Sequence, residues 1–241
     1  MPDQIRHIQN AIDFAQAFGV SRETIEKLEQ YEALLKLWQK SKNLIANSTI
    51  NDIWHRHFAD SAQLLQHIPK STKNLVDIGS GAGFPALVLA ILMQDSQAAT
   101  KSFQNTALHL VESNTKKCAF LQEVARKLDL SSKSHTNSIA FVEIHNCRIE
   151  TLHESAQHMS IDCVTARALA SLDKLLGLTH PFLQQNTELV FLKGRDTEKE
   201  IQNAKKIWRF EYEDCLSMTE TAGTIIKITN VAPVMDKKSA F

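Results

Sequence analysis

The spacing of apolar residues in the first seventy positions predicts helices. Apolar residues recur every three to four positions over 4–18, and Gly19 follows as a stop signal. A second apolar stripe covers 25–38, preceded by Ser21, a residue type that favours helix N-caps. A third helix is predicted over 51–68. The chain therefore begins with a helical region.

From residue 74 onward, short apolar strands alternate with helices. The predicted strands are 74–78, 108–111, 140–144, 161–165, 188–192, 209–215 and 224–229, and the predicted helices are 85–92, 114–128, 171–183 and 197–206. Such alternation is typical of a parallel sheet covered on both faces, and the last two strands, with no helix between them, add one antiparallel strand. We predict a Rossmann-like α/β domain over 71–241 with a mostly parallel seven-stranded sheet, preceded by a helical cap over 1–70. The polar stretch 94–106 is interpreted as a surface insertion or a frayed helix end.

Composition limits the classes of function. The 241 residues are 43% hydrophobic and 22% charged, which favours a packed globular protein. Lys plus Arg number 27 and Asp plus Glu also number 27, so RNA binding would depend on local patches rather than on bulk charge. None of the four cysteines forms a CxxC pair, and the longest apolar run, 84–93, is too short to span a bilayer. We expect a cytoplasmic monomer without a metal.

A glycine-rich turn follows the first predicted strand. Gly79, Gly81 and Gly83 form a GxGxG pattern, and glycine lets the backbone approach a ligand closely. A dinucleotide site would need GxGxxG, but Phe84 occupies the position of its third glycine. The pattern favours S-adenosylmethionine (SAM) over a nicotinamide cofactor. A tight strand-to-helix turn without a ligand is the alternative interpretation.

Polar residues also follow the next three predicted strands. Glu112 comes after the second strand, where a carboxylate can accept both hydroxyls of an adenosyl ribose. Ile149 and Glu150 follow the third strand, where an adenine ring would lie, and Arg167 follows the fourth. Taken one at a time, the charged residues fit an exposed acid or a surface salt bridge as well as they fit a ligand contact. Together at one edge of a parallel sheet they predict a binding site.

Four short strings in one order carry a family resemblance. They are RHFADS over 56–61, GSGAGFP over 79–85, ARALASL over 166–172 and LKG over 192–194. With them the chain resembles the RsmG (GidB) family of bacterial small-subunit rRNA guanine-N7 methyltransferases, over roughly its whole length from the second helix onward. The resemblance implies a class I SAM-dependent methyltransferase that methylates N7 of a guanosine in the 530 loop of 16S rRNA, within a small ribosomal subunit or its precursor, and releases S-adenosylhomocysteine.

The resemblance also implies site residues. It places SAM against Gly79, Phe84, Ile149, Glu150 and Arg167. With the residues drawn from the strand ends, the predicted cofactor set is Gly79, Gly81, Gly83, Phe84, Glu112, Ile149, Glu150 and Arg167. The candidates for rRNA phosphate contact are Arg56, His57, Lys193 and Arg195, although each alone is more typical of a solvated charge. No catalytic acid or base is assigned, because guanine N7 already carries a lone pair.

Other functions share parts of this pattern. A methyltransferase acting on a small molecule would have the same cofactor site, and the RHFADS string argues against it. A SAM-binding module without catalysis also fits the glycine turn and the strand-end residues. Methyl transfer to defined substrates separates these alternatives.

Overall fold

The sheet has seven strands in the order β3-β2-β1-β4-β5-β7-β6. The computed structural model describes residues 7–95, 103, 105–131, 140–152 and 159–234. The strands are β1 Asn74–Ile78, β2 Thr106–Val111, β3 Ala140–His145, β4 Cys163–Arg167, β5 Glu188–Lys193, β6 Trp208–Leu216 and β7 Thr224–Pro233. The first five strands are parallel, and β7 pairs antiparallel with both β5 and β6. The predicted Rossmann-like sheet with one antiparallel strand is confirmed.

A side-chain cap sets where the first of the seven helices begins. The helices are α1 Ala11–Phe18, α2 Arg22–Lys42, α3 Asp60–Ala62, α4 Ala86–Met93, α5 Thr115–Lys127, α6 Leu172–Thr179 and α7 Thr197–Ala204. The prediction that the first helix extends over 4–18 was wrong for residues 7–10, and residues 4–6 lie outside the described part. Asn10 has an extended backbone, and its side chain accepts the N–H groups of Ile12 and Asp13, so the helix begins at Ala11.

The single helix predicted over 51–68 is wrong in detail. The chain there forms a 3-10 turn over Asn47–Asp52, a π-helical turn over Trp54–Ala59, the short α3, and a second 3-10 turn over Gln63–His67. The wide π turn lets several large side chains of one short segment face inward together: Trp54, His55, His57 and Phe58 are all buried. This irregular segment carries the RHFADS string.

The two faces of the sheet pack against different helices. On one face, α1, α2, α4 and α5 share a hydrophobic core with sheet residues that include Leu75 and Leu108. On the other face, α6 and α7 pack over residues that include Val76 and Phe191. Helix α4 is buried on all sides because it lies between the sheet and the N-terminal helices. The division into units 1–70 and 71–241 stays a prediction.

Two further predictions concern the edges of this fold. The helix predicted over 171–183 ends at Thr179, and a 3-10 turn containing Pro181 follows it. Most of the polar stretch 94–106 lies outside the described residues, and its last residue, Thr106, begins β2. Within the described residues, no helix is both long and apolar enough to cross a membrane.

Candidate cofactor site

The glycine turn crosses the carboxyl ends of β1 and β2. Backbone N–H groups of Gly79 and Ser80 donate to the Val111 carbonyl at 2.9 and 3.1 Å, which fixes the turn above the sheet. Gly81 has a φ of 57° and Gly83 a φ of 93°, a region that residues with a Cβ rarely adopt. The turn therefore requires glycine at these positions for its backbone shape alone.

Glu112 holds this turn directly. Its Oε2 accepts the Gly81 N–H at 2.9 Å, and its Oε1 accepts the N–H of Asn114 at 2.8 Å. Only 8% of the residue is exposed. Each carboxylate oxygen keeps a further lone pair, so the group can still accept hydroxyls of a ligand. In the structure, Glu112 therefore positions the glycine turn, in addition to the ribose contact that the sequence predicts for it.

A cavity of about 510 Å³ lies beyond these strand ends, and we call it the strand-end cavity. Five predicted cofactor residues line it: Gly79, Glu112, Ile149, Glu150 and Arg167. The sequence interpretation missed other parts of its wall, which include Lys117, Ala168, Leu169 and Leu178. Leu169 and Leu178 belong to the connection after β4 and to α6, which the parallel topology brings to the same edge. The cavity is of the size that small-molecule ligands occupy.

Phe84 does not line the cavity but lies in an aromatic stack behind it. Its ring centroid is 5.3 Å from that of Tyr31 and 4.8 Å from that of His57. The Arg167 guanidinium lies 5.1 Å from the Phe84 centroid, a cation–π distance. The Tyr31 hydroxyl donates to the Ala82 carbonyl. These contacts join the glycine turn to the helical region, and a direct Phe84–cofactor contact stays a prediction.

Gly81 and Gly83, like Phe84, are not part of the cavity wall. A Cβ on Gly83 would lie 2.3 Å from Leu87 Cδ1 and 2.8 Å from the Tyr31 hydroxyl oxygen. A Cβ on Gly81 would meet no described atom closer than the Gly79 carbonyl oxygen at 3.8 Å. Gly83 is therefore required for packing as well as for backbone conformation, whereas Gly81 is required for conformation.

Arg167 joins the strand-end cavity to the RHFADS segment. Its Nη1 donates to the Arg56 carbonyl at 2.7 Å and lies 3.6 Å from Asp60 Oδ2, and its Nη2 donates to His57 Nδ1 at 2.7 Å. Burial lowers the pKa of Arg167, and the Asp60 charge opposes this shift. The guanidinium remains charged and connects β4 to the helical region.

His57 is held in its neutral form. Burial, reinforced by the positive charges of Arg167 and Arg56, lowers the pKa of His57 to about 3. Its Nδ1 accepts from Arg167, and its Nε2–H donates to the Thr49 hydroxyl at 2.8 Å. Both ring nitrogens are therefore engaged within the protein, and His57 offers no positive charge to a phosphate in this structure.

The other three RNA-binding candidates differ in exposure. Arg56 pairs with Glu220 at 3.2 Å. The Lys193 ammonium lies 2.6 Å from Glu200 Oε2 and donates to the Ala170 carbonyl at 2.7 Å, and its side chain is 9% exposed. Arg195 is exposed and makes no ion pair with the described residues. RNA contact by these residues stays a prediction, and Arg195 has the side chain that is most available for it.

Asp77 lies in β1, just before the glycine turn, and was not among the predicted site residues. Its Oδ1 accepts the Thr165 hydroxyl at 2.8 Å, whereas its buried Oδ2 has no hydrogen-bond partner within the described part of the chain. Burial raises the pKa of Asp77 to about 7. The available signal was an acidic residue two positions before Gly79, inside an otherwise apolar strand.

The fold and site define a class I, Rossmann-like SAM-dependent methyltransferase. The defining features are the strand order, the glycine turn after β1 and the acid after β2. The fold is similar to that of a mutant of MtNAS crystallised with S-adenosylmethionine, with a TM-score of 0.52 and 11% identity over 91% of this chain and 77% of that one.

Sequence comparisons show the family. A family model described as rRNA small subunit methyltransferase G (GidB) matches residues 24–229. A ribosomal RNA small subunit methyltransferase G of Rhodospirillum centenum is 42% identical over 92% of each chain. A protein of the same name from Parvibaculum lavamentivorans is 40% identical over 89% of this chain and 87% of its own length. Another, from Caulobacter vibrioides, is 38% identical over 94% of each chain. The chain belongs to the rRNA small subunit methyltransferase G family.

Proposed function

We propose that this protein transfers the methyl group of SAM to N7 of a guanosine in the 530 loop of 16S rRNA. The observation that carries the proposal is the strand-end cavity, whose wall contains Glu112 and four residues that the family motifs mark for the cofactor. The family match over residues 24–229 supports an rRNA substrate. The choice of N7 and of the 530 loop rests on the family resemblance.

The residues present fit SAM. Glu112 and Glu150 supply acceptors for hydroxyls and for an amino group, while Ile149 and Leu169 supply apolar surface for an adenine ring. When bound, SAM supplies a methyl group on a sulfonium centre. Gly79, Glu112, Ile149, Glu150 and Arg167 would hold it.

The proposed reaction needs no general base from the protein. Guanine N7 has its lone pair in the neutral base, so alignment of N7 with the methyl carbon is the main task of the site. His57 stays neutral at physiological pH because its pKa is about 3, and both its nitrogens have partners. Carboxylates near the cavity favour the positive charge that develops on the purine.

We place the rRNA on the side of the RHFADS segment and Arg195. Arg195 is exposed near the end of β5, and the half-exposed Arg56 pairs with Glu220 at the surface. A bound phosphate can replace Glu220 as the partner of Arg56 without exposing a buried charge. A monomeric state, a cytoplasmic location and a substrate within the small subunit remain predictions.

A methyl-transfer assay tests the proposal. Tritiated SAM is offered with intact small ribosomal subunits, bare 16S rRNA and a set of metabolites, and product rRNA is digested and analysed by mass spectrometry. We expect label in 16S rRNA as 7-methylguanosine. Under saturating substrate, the single-turnover rate should be nearly flat from about pH 6.5 to 8.5.

Three results would contradict the proposal. Label in metabolites alone would indicate a small-molecule methyltransferase. SAM binding by calorimetry with no transfer to any substrate would indicate a binding module. A methyl group mapped to a ring carbon or an exocyclic amine would remove the N7 assignment.

A further inference from the structure

Three potential metal ligands lie on one face of the β2–β3 pair. His109 on β2 is in register with Glu143 on β3, and His145 follows Glu143 by two residues. Residues in register on parallel strands, and residues two apart on one strand, face the same side of a sheet. This is the face opposite the N-terminal helices. None of the three side chains lines the strand-end cavity.

The distances among their ligand atoms match one coordination sphere. His109 Nδ1 lies 3.1 Å from His145 Nε2 and 3.5 Å from Glu143 Oε2, and all three atoms lie within 4.8 Å of one another. Ligands at about 2.0–2.1 Å from a tetrahedral zinc ion are separated by about 3.3–3.4 Å. The two measured distances lie on either side of that value. The third separation, between His145 and Glu143, is at most 4.8 Å, so the two side chains would approach each other when they bind one ion.

The ring of His109 is oriented by a neighbour of the kind that metal-binding histidines use. Its Nε2 lies 3.4 Å from Asn74 Oδ1. The Asn74 amide nitrogen donates to the Ser160 carbonyl at 2.8 Å, so the amide oxygen is the atom that faces His109. With the proton on Nε2, the lone pair of Nδ1 points toward His145 and Glu143. Such outer hydrogen bonds fix the tautomer of a ligating imidazole.

Contrary to the expectation of no metal from the sequence, we propose that His109, Glu143 and His145 form a binding site for a divalent transition-metal ion, specifically Zn²⁺. Two imidazoles and one carboxylate are a zinc-type donor set, and three protein ligands leave a fourth position for water. His109 is 5% exposed and would be the inner ligand, while the Glu143 side chain is 37% exposed and gives the ion a route from solvent.

The bound ion would tie the edge strand β3 to β2. Strand β3 is the outermost strand on its side of the sheet and pairs only with β2 among the described strands. The Glu112 N–H donates to the His145 carbonyl at 3.1 Å, so the site adjoins the segment that leads to Ile149 and Glu150. Zinc binding would therefore stabilise the outer wall of the strand-end cavity without contacting the cavity itself.

The test uses the full-length protein without a polyhistidine tag, freed of metal by a chelator. Calorimetry with zinc chloride should show one ion per chain, and Co²⁺ should give the visible absorption bands of a tetrahedral site. Zinc should also raise the midpoint of thermal unfolding. Glu143→Gln and His145→Asn should each weaken zinc binding by about tenfold or more. Circular dichroism of the metal-free variants checks that they fold.

His67→Asn is the matched control. Its ring lies 3.6 Å from the Cys215 sulfur, which makes this pair a second place where zinc could bind. We expect zinc affinity to be unchanged in this variant. Absence of zinc binding by the wild-type protein, loss of binding in His67→Asn, or full affinity in both Glu143→Gln and His145→Asn would overturn the proposal. The first result would mean that the three side chains form a hydrogen-bonded cluster only.

Discussion

The two halves of the carboxyl edge of the sheet use charged residues differently. At the ends of β1, β2 and β3, Glu112 binds backbone N–H groups of the glycine turn and leaves the strand-end cavity open beside it. At the ends of β4 and β5, Arg167 and Lys193 are engaged by partners from the chain itself. A charge that has partners within the chain can still line the open site, as Glu112 and Arg167 both do, whereas Lys193 does not line it. On the β4–β5 side, the cations mainly connect elements of the fold.

Arg167→Met should have the largest effect on stability. The change leaves Asp60 buried without its cation and His57 without its donor, and breaking such a pair costs about 3–5 kcal/mol of unfolding free energy. Urea unfolding measures this, with Arg195→Met as the control, which should stay within about 0.5 kcal/mol of wild type. The pKa of His57, followed by NMR, should rise because Arg167 is one of the charges that lower it. Equal stability of the two variants would show that Arg167 is not a structural connector.

Gly83→Ala and Gly81→Ala separate packing from backbone strain. Both place a Cβ in the left-handed region, which costs about 1–2 kcal/mol. Only Gly83→Ala also forces a Cβ against Leu87 and Tyr31, so its total cost should reach about 2–4 kcal/mol. Chemical unfolding measures both values. SAM affinity, measured by calorimetry, should fall in folded Gly81→Ala. The backbone N–H of residue 81 holds the turn on Glu112, and the strained backbone would shift that hydrogen bond. Unchanged affinity there would mean that the turn shape does not serve the cofactor.

Asp77→Asn should change how stability depends on pH. The pKa of Asp77 is raised to about 7 in the folded protein, above about 3.9 for an unfolded Asp. Between these values the folded state binds the extra proton, so the stability from this group is present below about pH 4 and is lost as pH rises through 7. The unfolding free energy of wild type minus that of Asp77→Asn should fall by roughly 4 kcal/mol across this range. A constant difference would place the Asp77 pKa near its ordinary value. The titration of His57 is common to both proteins and cancels in the comparison.

Lys193→Met and Arg195→Met should differ in RNA binding. The side chain of Lys193 is 9% exposed and paired with Glu200, so its loss should reduce stability by about 1–3 kcal/mol and leave the salt dependence of RNA capture unchanged. Arg195 is exposed, so its loss should lower the salt slope by about one with stability intact. Filter binding of 16S rRNA at several salt concentrations decides between them. A reduced slope for Lys193→Met alone would mean that its ion pair opens when RNA binds.

Features that depend on neighbouring positions in the chain were predicted well. The bounds of β1, Asn74–Ile78, match the prediction because a buried apolar run ends at glycines. The site edge followed from topology, since parallel strands bring their carboxyl ends together. Features that depend on residues far apart in the chain could not be predicted from the sequence. The carbonyl of Arg56 accepts from Arg167 across 111 positions, and only the register of β2 and β3 brings His109 opposite Glu143. One helix was predicted over 51–68 because apolar spacing does not distinguish the π and 3-10 turns found there from an α-helix.

The stack of Tyr31, Phe84 and His57 means that the N-terminal region cannot be treated as a removable attachment. Phe84 is clamped between side chains that come from 53 and 27 positions earlier in the chain, and Leu87 in the wholly buried α4 lies close beside the same tyrosine. A fragment starting at residue 71 would expose α4 to water and leave the glycine turn unsupported on that side. Grafting the sheet and the strand-end cavity into another protein would therefore require the N-terminal helices to be included.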